Sequence, residues 1–362
     1  MGLSSLAAGR KADGIAHYSR ELYREMSTRS CVVPLLHAGE QLKAEWLKTP
    51  VRQGYSFALA TLRSQAGFNS LPDDLISELD LYHATDNRIP RLKDTPVVAT
   101  IFDAVPLAYP HWARSRLRKL KNTLMRRSAQ WADRVICASD YAAEEIAHFW
   151  GIKPDRISVI PLAVDKFRFS QDYGHLELPC GLGQSEGYFL FVGTLQPRKN
   201  LLRLIAAHQQ LTRDERQAFP LVIAGGGGWK SAAVVAAAQA DSLGIRYCGY
   251  LEDKQITALY LSATAVVVPS LHEGFGLPVL EGFAAGKPVL CSNTTSLPEV
   301  AGDAAILFDP ETPAEIAAAM RQILHDETLR SSYAAKGLAR VEPFTWARTA
   351  DQTLQLYRQL TG

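Results

Sequence analysis

The chain has 362 residues, 47% of them hydrophobic and 21% charged, which is enough for about two domains with buried cores. Its formal net charge of +2 gives no global field that would favour nucleic acid as a partner. Five widely spaced cysteines without a Cys-x-x-Cys pair favour reduced thiols over a disulfide framework or a zinc site. Without a signal peptide or an 18-residue apolar run, we expect a soluble, cytoplasmic protein.

The N-terminal half starts with MGLSSL, a short candidate strand, after which Ile15, Tyr18, Leu22 and Met26 have the spacing of one helix face. Short apolar runs bounded by turn residues follow. Most of them are continuous, as expected for strands that are covered on both faces. They predict parallel strands at 81–85, 97–102, 134–139 and 157–163.

A strongly basic segment lies between two of these strands. From 114 to 127 there are seven basic residues and no acidic one, interleaved with and flanked by Trp112, Leu117, Leu120, Leu124 and Trp131. A basic amphipathic helix is typical of a membrane surface, so the 114–127 helix is a candidate for peripheral contact with the inner face of the plasma membrane. A solvated helix face, which is what charge runs usually form, is the equally weighted alternative.

The second half repeats the alternation of strands and helices after a change of composition at 165–187, which is rich in turn residues and is predicted to link two domains. Residues 1–164 would form the first domain, 188–343 the second, and 344–362 a terminal helix. Alternating elements of this kind predict an α/β fold with two doubly wound domains and ligands at the carboxyl ends of the strands. The predicted strands of the second domain are 188–194, 220–226, 245–250, 265–270 and 288–292.

Two loops of the second half have the composition of phosphate-binding turns. The run GTLQPRKNLLRLIAAH at 193–208 follows a predicted strand and opens a predicted helix, which puts Arg198 and Lys199 at the carboxyl end of that strand. Cations there can hold a diphosphate and neutralise its charge as it leaves; a solvated basic pair beside a helix cap at Asn200 is the alternative. AGGGGW at 224–229 permits tight turns but is no nucleotide fingerprint by itself.

The most informative stretch is SLHEGFGLPVLEGFAAGKPVLCSNTTSLP at 270–298, where seven residues separate Glu273 from Glu281. Glu273 precedes a Gly-Phe-Gly turn, and Glu281 falls about two helical turns later, on the same face if the intervening segment is helical. Backbone N–H groups of such a turn favour phosphate, and carboxylates accept hydrogen bonds from sugar hydroxyls. The combination suits a nucleotide-sugar, and two surface glutamates of a helix are the alternative.

This stretch resembles the C-terminal signature of the retaining glycosyltransferases of family 4, the group 1 glycosyltransferases, which have the GT-B fold. The resemblance covers nearly the whole chain. It implies an N-terminal acceptor-binding domain and a C-terminal nucleotide-sugar-binding domain, both Rossmann-like and facing a cleft, and a terminal helix that crosses back to the N-terminal domain. VGTLQPRKN and FDAVPLAYP look most like bacterial mannosyltransferases of surface polysaccharide synthesis.

The resemblance also implies roles for the charged residues. Lys199 matches a lysine of the family, while Thr194 stands where the family has an arginine, which makes Arg198 the nearest replacement. Glu273 would hold hydroxyls of the donor sugar, and Glu281 would hold those of the ribose.

Other parts of the donor site follow from the same resemblance. Asp13-Gly14 resembles the family's first glycine loop, and GYLEDKQITALY at 249–260 resembles the segment whose backbone meets the nucleobase. The implied donor-binding residues are Gly14, Gly193, Thr194, Tyr250, Gly274, Phe275, Gly276, Leu277 and Glu281.

On the acceptor side the family carries a His-Asp pair at the end of a strand. TIFDAVPLAYP at 100–110 has Phe102 in the place of the histidine and keeps Asp103. Asp103 would contact the sugar or the acceptor hydroxyl, or it would cap the following turn. His83, at the end of another predicted strand, would line the cleft or be a structural histidine.

These observations together predict a retaining hexosyltransferase. In the family it resembles, the acceptor attacks the face from which the diphosphate leaves, so electrostatic stabilisation matters more than an enzymic base. The chain has no Asp-x-Asp triplet, so we expect no metal site and no cofactor beyond the substrate. The expected donor is GDP-mannose and the acceptor a glycan or a polyprenyl-linked oligosaccharide. A UDP-sugar donor is one alternative, and a non-catalytic partner that binds nucleotide-sugar or glycan is another.

Overall fold

The computed structural model describes residues 1–7, 14–42, 46–112, 118–171, 173, 178–184, 186–240 and 244–362. The chain divides into two compact units. The first comprises Met1–Pro110, Ser115–Leu162 and Thr345–Gly362, and the second comprises His111–Arg114 and Ala163–Phe344.

The first unit is built on a parallel sheet. Its strands β1 to β6 are Leu35–Leu36, Arg52–Gln53, Tyr82–Ala84, Val97–Thr100, Arg134–Cys137 and Ile157–Val159. Strands β3 to β6 pair in chain order, β1 pairs with β2, and Gly2 bridges β1 and β3. The helices are α1 Gly14–Met26, α2 Phe57–Gln65, α3 Asp73–Ile76, α4 Val105–Ala108, α5 Arg118–Ala129 and α6 Asp140–Glu145.

The second unit has a six-stranded parallel sheet. Its strands β7 to β12 are Phe189–Val192, Leu221–Ala224, Ile245–Gly249, Ala265–Val268, Val289–Ser292 and Ala305–Phe308, in the order β12-β11-β10-β7-β8-β9. The helices are α7 Leu201–His208, α8 Arg213–Ala218, α9 Ala232–Ala240, α10 Asp253–Ser262, α11 Leu277–Ala284, α12 Leu297–Ala301, α13 Pro313–His325 and α14 Glu327–Val341.

The burial of the strands explains why the sequence contains short continuous apolar runs. Every residue of β8, β10 and β11 is buried, so these strands are covered on both faces. Each of the nine predicted runs contains a strand, whereas β1, β2 and β12 were not predicted. Side-chain caps fix several helix starts, as where Ser139 accepts from the backbone of Ala142 at the start of α6.

The last helix, α15 Trp346–Thr361, packs within the first unit. The Trp346 ring meets the ring of His17 on α1 edge-on at 5.7 Å, and Asp351 forms an ion pair with Arg29. Leu356 is buried with residues of β4 and β5. The amphipathic pattern predicted for 344–360 is therefore a helix whose apolar face completes the core of the first unit.

Three features differ from the sequence-based predictions. The segment 165–187 belongs to the second unit, where Arg168 donates to the carbonyl of Asp253 at 3.0 Å, so it is no separate linker. Cys180 and Cys248, 68 residues apart, form a disulfide, so the expectation of reduced thiols holds only for the other three cysteines. In MGLSSL only Gly2 has strand-like bridges, and Ser4–Leu6 is a 3₁₀ turn.

Candidate functional site

The order of strands in the second unit defines where a ligand should bind. From β7 the chain moves to β8 and β9 on one side, and then returns to place β10, β11 and β12 on the other. The reversal falls between β7 and β10, which are paired in parallel, so the loops after both strands start at the same edge of the sheet. In doubly wound sheets, ligands bind at such a switch point, outside the carboxyl ends of the strands.

Glu273 lies at this point, in the loop after β10, and contacts two cations from the loop after β7. Arg198 Nη1 donates to Glu273 Oε2 at 2.7 Å, and Lys199 Nζ donates to Oε1. Ser270 donates to the same Oε1 at 2.7 Å. A backbone bond of 2.7 Å from the Leu271 N–H to the Arg198 carbonyl ties the two loops together. The structure thus brings together three residues that the sequence analysis placed in one donor site.

The surroundings of Glu273 keep it ionised. Burial alone would raise the pKa of its carboxyl, because the charged form loses water, but the adjacent Lys199 and Arg198 outweigh this and hold the pKa well below its ordinary value. Of these three side chains, two carry a positive charge and one a negative charge, a balance that suits an anion.

The glycine loops at this edge fit closely against one another. Gly225, after β8, has φ of 149°, and a Cβ there would lie 2.0 Å from the carbonyl oxygen of Gly193. Gly276 has φ of 112°, and a Cβ there would lie 2.6 Å from Leu297. Side chains at these positions would force the loops apart, so the glycines let the backbone turn at the ligand edge.

The Gly-Phe-Gly turn is fixed from behind. Ser296 donates to the carbonyls of Glu273 and Phe275, both at 2.9 Å. Helix α11 starts at Leu277, after Gly276, so Glu273 and Glu281 are not on one continuous helix and the same-face condition is not met.

Glu281, on α11, has different partners from Glu273. Tyr260 donates to its Oε2 at 2.7 Å, and Arg168 Nη1 lies 3.6 Å from its Oε1. The Glu281 side chain is 22% exposed to solvent. The two glutamates therefore sit in separate polar environments, the first with two close cations and the second with a phenol and one more distant guanidinium.

The other predicted donor residues differ in exposure. Thr194 and Tyr250 are exposed, Tyr250 at 70%, and Phe275 is buried at 6% with its ring 6.1 Å from that of Phe344. Gly14 is exposed at the start of α1 in the first unit, and its neighbour Asp13 lies outside the described residues.

The predicted acceptor residues belong to the first unit. Asp103 accepts from the backbone N–H of Val105 at 3.1 Å, which is the capping role left open by the sequence, and Phe102 packs edge-on against Tyr18 at 5.1 Å. His83 is buried, with its ring nitrogens 2.8 Å from Thr100 Oγ1 and 2.5 Å from Tyr357 Oη.

Burial lowers the pKa of His83 to about 3, so its ring is neutral at ordinary pH. Because both nitrogens have partners inside the unit, the structure favours a structural role for His83 over contact with an acceptor.

Sequence reasoning missed several residues of the site. Ser270 and Ser296 lay inside the most informative stretch but were passed over because serines are common in loops. Tyr260 was hidden because it looks like an apolar helix position, and Arg168 because it lies in the segment interpreted as a linker.

The chain matches two family models. "Glycosyl transferases group 1" covers residues 181–340, and "Glycosyltransferase Family 4" covers residues 12–168. The O-antigen chain mannosyltransferase B of Escherichia coli is 33% identical over 294 residues, which is 77% of this chain and 74% of that protein. The serotype-specific mannosyltransferase WbdA of Escherichia coli is 32% identical over 237 residues, which is 63% of this chain but 29% of that protein.

Solved structures share the fold at low identity. A sucrose-phosphate synthase from Thermosynechococcus elongatus has a TM-score of 0.72 at 20% identity and covers 96% of this chain and 94% of its own. Anabaena HepE, solved with UDP and glucose, has a TM-score of 0.71 at 17% identity and covers 96% of both chains. They show the GT-B architecture of two Rossmann-like domains, as predicted. Within the described part of the chain, no helix combines the length and apolar character that a membrane span needs.

Proposed function

The chain belongs to the group 1 glycosyltransferases of family 4, and from that premise we propose that it transfers mannose from GDP-mannose with retention at the anomeric carbon. The acceptor would be a glycan or a polyprenyl-linked oligosaccharide of a surface polysaccharide such as O-antigen. The two Escherichia coli relatives, both mannosyltransferases, support the choice of sugar. The observation that carries the chemistry is the contact of Arg198 and Lys199 with Glu273 at the switch point of the second unit.

In this proposal the cluster binds and stabilises the leaving diphosphate. As the bond from the sugar to the diphosphate breaks, negative charge grows on the phosphate oxygens. Lys199 and Arg198 can lower the energy of that charge because they are already fixed in place and partly shielded from water. The N–H groups of the turn 274–276 would add further donors.

Glu273 serves two purposes here. It holds the two cations in position, and its lone pairs accept hydrogen bonds from hydroxyls of the donor sugar. Glu281 would accept from the ribose hydroxyls in the same way, because its carboxylate is partly exposed. Since the cations supply the positive charge, this route requires neither a divalent ion nor a protein base.

The basic helix supports contact with a membrane surface. Helix α5 exposes Lys119, Lys121 and Arg126, while 113–117 lie outside the described residues. Leu120 is 56% exposed and Phe57, on α2, is 51% exposed, and both line one cavity of about 660 Å³ in the first unit. A mixed basic and apolar surface of this kind would bring the first unit to a lipid-linked acceptor.

A thermal-shift panel with GDP, UDP, ADP and their sugars, with and without a chelator, tests the proposal. A ligand that binds the folded state raises the melting temperature by mass action. Selective stabilisation by GDP and GDP-mannose that a chelator leaves unchanged would support a metal-independent mannosyltransferase, and radiolabelled transfer from GDP-mannose to lipid-linked acceptor would then establish turnover.

The other outcomes separate the alternatives. Selective stabilisation by UDP would keep the mechanism and replace the donor. A shift that disappears with chelator would contradict metal independence. No shift with any nucleotide would contradict the nucleotide-sugar site and favour a glycan-binding partner without catalytic activity.

A further inference from the structure

The carboxylate of Glu281 is held from two sides by residues outside the glutamate motif. Tyr260, on α10, donates its hydroxyl to Oε2 at 2.7 Å, and the guanidinium of Arg168 lies 3.6 Å from Oε1. Among the described residues, each oxygen therefore has one partner and retains capacity to accept another hydrogen bond. Held in this way, the carboxylate cannot rotate freely about its last torsion.

Arg168 is itself fixed in place. It belongs to the 3₁₀ turn Lys166–Phe169, donates through Nη2 to the carbonyl of Asp253 at 3.0 Å and through Nε to Thr257 Oγ1, and lies 5.4 Å from the ring of Phe169. Both acceptors are on α10, which also carries Tyr260. Helix α10 thus fixes both groups that contact Glu281.

Tyr260 stays a hydrogen-bond donor over the working pH range. It is fully buried, and that burial together with the neighbouring Glu281 carboxylate raises the pKa of its phenol well above the ordinary value. Its ring packs edge-on against Phe169 at 5.8 Å, which limits movement of the hydroxyl.

We propose that Arg168 and Tyr260 are positioning residues that aim the Glu281 carboxylate at the ribose hydroxyls and thereby set the preference for ribonucleotides over deoxyribonucleotides. The proposal depends on the proposed function only for the ribose role of Glu281. A site built around a hydroxyl rejects an analogue that lacks it, because the site's polar group is then left without a partner. Such rejection requires a carboxylate held in one orientation, which is what the two neighbours provide.

A purely structural ion pair makes a different prediction. If Arg168 only joins the turn to α10, its loss would weaken every nucleotide equally through a general loosening of the unit. Binding by the two ligands GDP and 2′,3′-dideoxy-GDP separates the two cases, because they differ only in the ribose hydroxyls.

The experiment measures Kd for both ligands by calorimetry in the native protein, Arg168→Met and Tyr260→Phe, with the UDP pair in parallel. We expect the native protein to prefer the ribonucleotide by about tenfold or more, as for a hydrogen-bonded hydroxyl. Arg168→Met should lose most of that preference while its Kd for the dideoxy ligand changes less than about twofold. Tyr260→Phe should act in the same direction, and it decides the matter if Arg168→Met does not fold.

Two controls complete the design. Arg330→Met removes an arginine of the same unit that pairs with Glu327, and it should leave both Kd values unchanged. In a Glu281→Gln background, Arg168→Met should cost no further ribose preference, because a positioning residue acts only through its target.

Each failure has its own signature. Equal weakening of both ligands by Arg168→Met, or a preference that survives it, would overturn the positioning role. If the native protein shows no ribose preference and Glu281→Gln is silent, the ribose assignment in the proposed function fails and this inference fails with it. Absence of any nucleotide binding by the native protein would overturn both.

Discussion

Arg198 and Glu273 are 75 positions apart in the chain, yet Nη1 of the first lies 2.7 Å from Oε2 of the second. The contact exists because β7 and β10 are neighbours in the sheet although β8 and β9 come between them in sequence. It joins the basic loop and the glutamate loop into one cluster, and several predictions depend on that cluster.

Replacement of Lys199 by alanine should lower kcat by about 100-fold or more if its charge stabilises the departing diphosphate. Glu273 would keep Arg198 and Ser270 as partners, so the protein should still fold. Turnover would be measured with the nucleotide-sugar that the thermal-shift panel selects. Lys336→Ala, which removes an exposed lysine of the same unit on α14, is the matched control and should be fully active. Normal turnover in Lys199→Ala would remove this lysine from the mechanism.

Acid should weaken the cluster in a defined direction. The pKa of Glu273 in the folded state lies below the ordinary value of 4.5, so the unfolded chain binds the proton first as pH falls. The stability that Glu273 contributes is therefore complete above that ordinary value and is lost progressively below it. Urea unfolding gives the free energy of unfolding of the native protein and of Glu273→Gln. The difference between the two values should be largest near neutral pH and should decrease from about pH 5 to about pH 3.

A control separates this effect from general acid sensitivity. Glu327 is exposed on α14, so Glu327→Gln is the matched control, and its free energy of unfolding should stay close to that of the native protein. If the difference in free energy of unfolding between native protein and Glu273→Gln stays constant from neutral pH down to about pH 3, the two cations do not lower the pKa of that carboxyl.

Two adjacent glycines provide a sharp test of the loop packing. Gly225→Ala would place Cβ 2.0 Å from the carbonyl oxygen of Gly193 at a φ of 149°, whereas Gly226→Ala would meet nothing closer than 3.9 Å. We expect Gly225→Ala to cost about 2 kcal/mol or more in free energy of unfolding and to weaken nucleotide binding. Gly226→Ala should have little effect on either. If urea unfolding gave the same free energy of unfolding for both variants, the close packing of these loops would be contradicted.

The sequence predicted the fold well because parallel strands buried on both faces are continuous apolar runs. β10, AVVV, is an example, because its short length and its three β-branched valines favour a strand over a buried helix segment. The sequence carried a signal for β12 as well, because AILF is a continuous apolar run between Gly302-Asp303 and Asp309-Pro310. The two-residue strands β1 and β2 are too short to show any period.

The site was predictable only as far as its motifs extend. Lys199, Glu273 and Glu281 belong to recognisable sequence motifs, but the contact between Lys199 and Glu273 follows from strand order, which hydrophobic periodicity does not reveal. Arg168 contacts Glu281 because the turn after Ala163 folds back onto α10, a long-range contact without a local signature. The Cys180–Cys248 bond has the same origin, since two cysteines separated by 68 residues show no spacing rule.

The outer face of α5 allows a test of membrane contact that leaves the cluster around Glu273 intact. Charge reversal of Lys119, Lys121 and Arg126 to glutamate should reduce binding to anionic liposomes, by about 1 kcal/mol for each basic charge lost near the surface. Because the Debye length shortens at high salt, binding of the native protein to the vesicles should also weaken as ionic strength rises. Sedimentation with phosphatidylglycerol vesicles measures both effects.

The matched control reverses three exposed lysines elsewhere in the first unit, Lys48, Lys93 and Lys153. It makes the same change in net charge, so a surface-specific contact predicts that this variant still binds vesicles, while attraction through overall charge predicts equal loss in both. Activity on a water-soluble acceptor should be unchanged in the α5 variant, because its substitutions leave Arg198, Lys199 and Glu273 in place. Intact vesicle binding after reversal of the α5 charges would assign this helix to solvent.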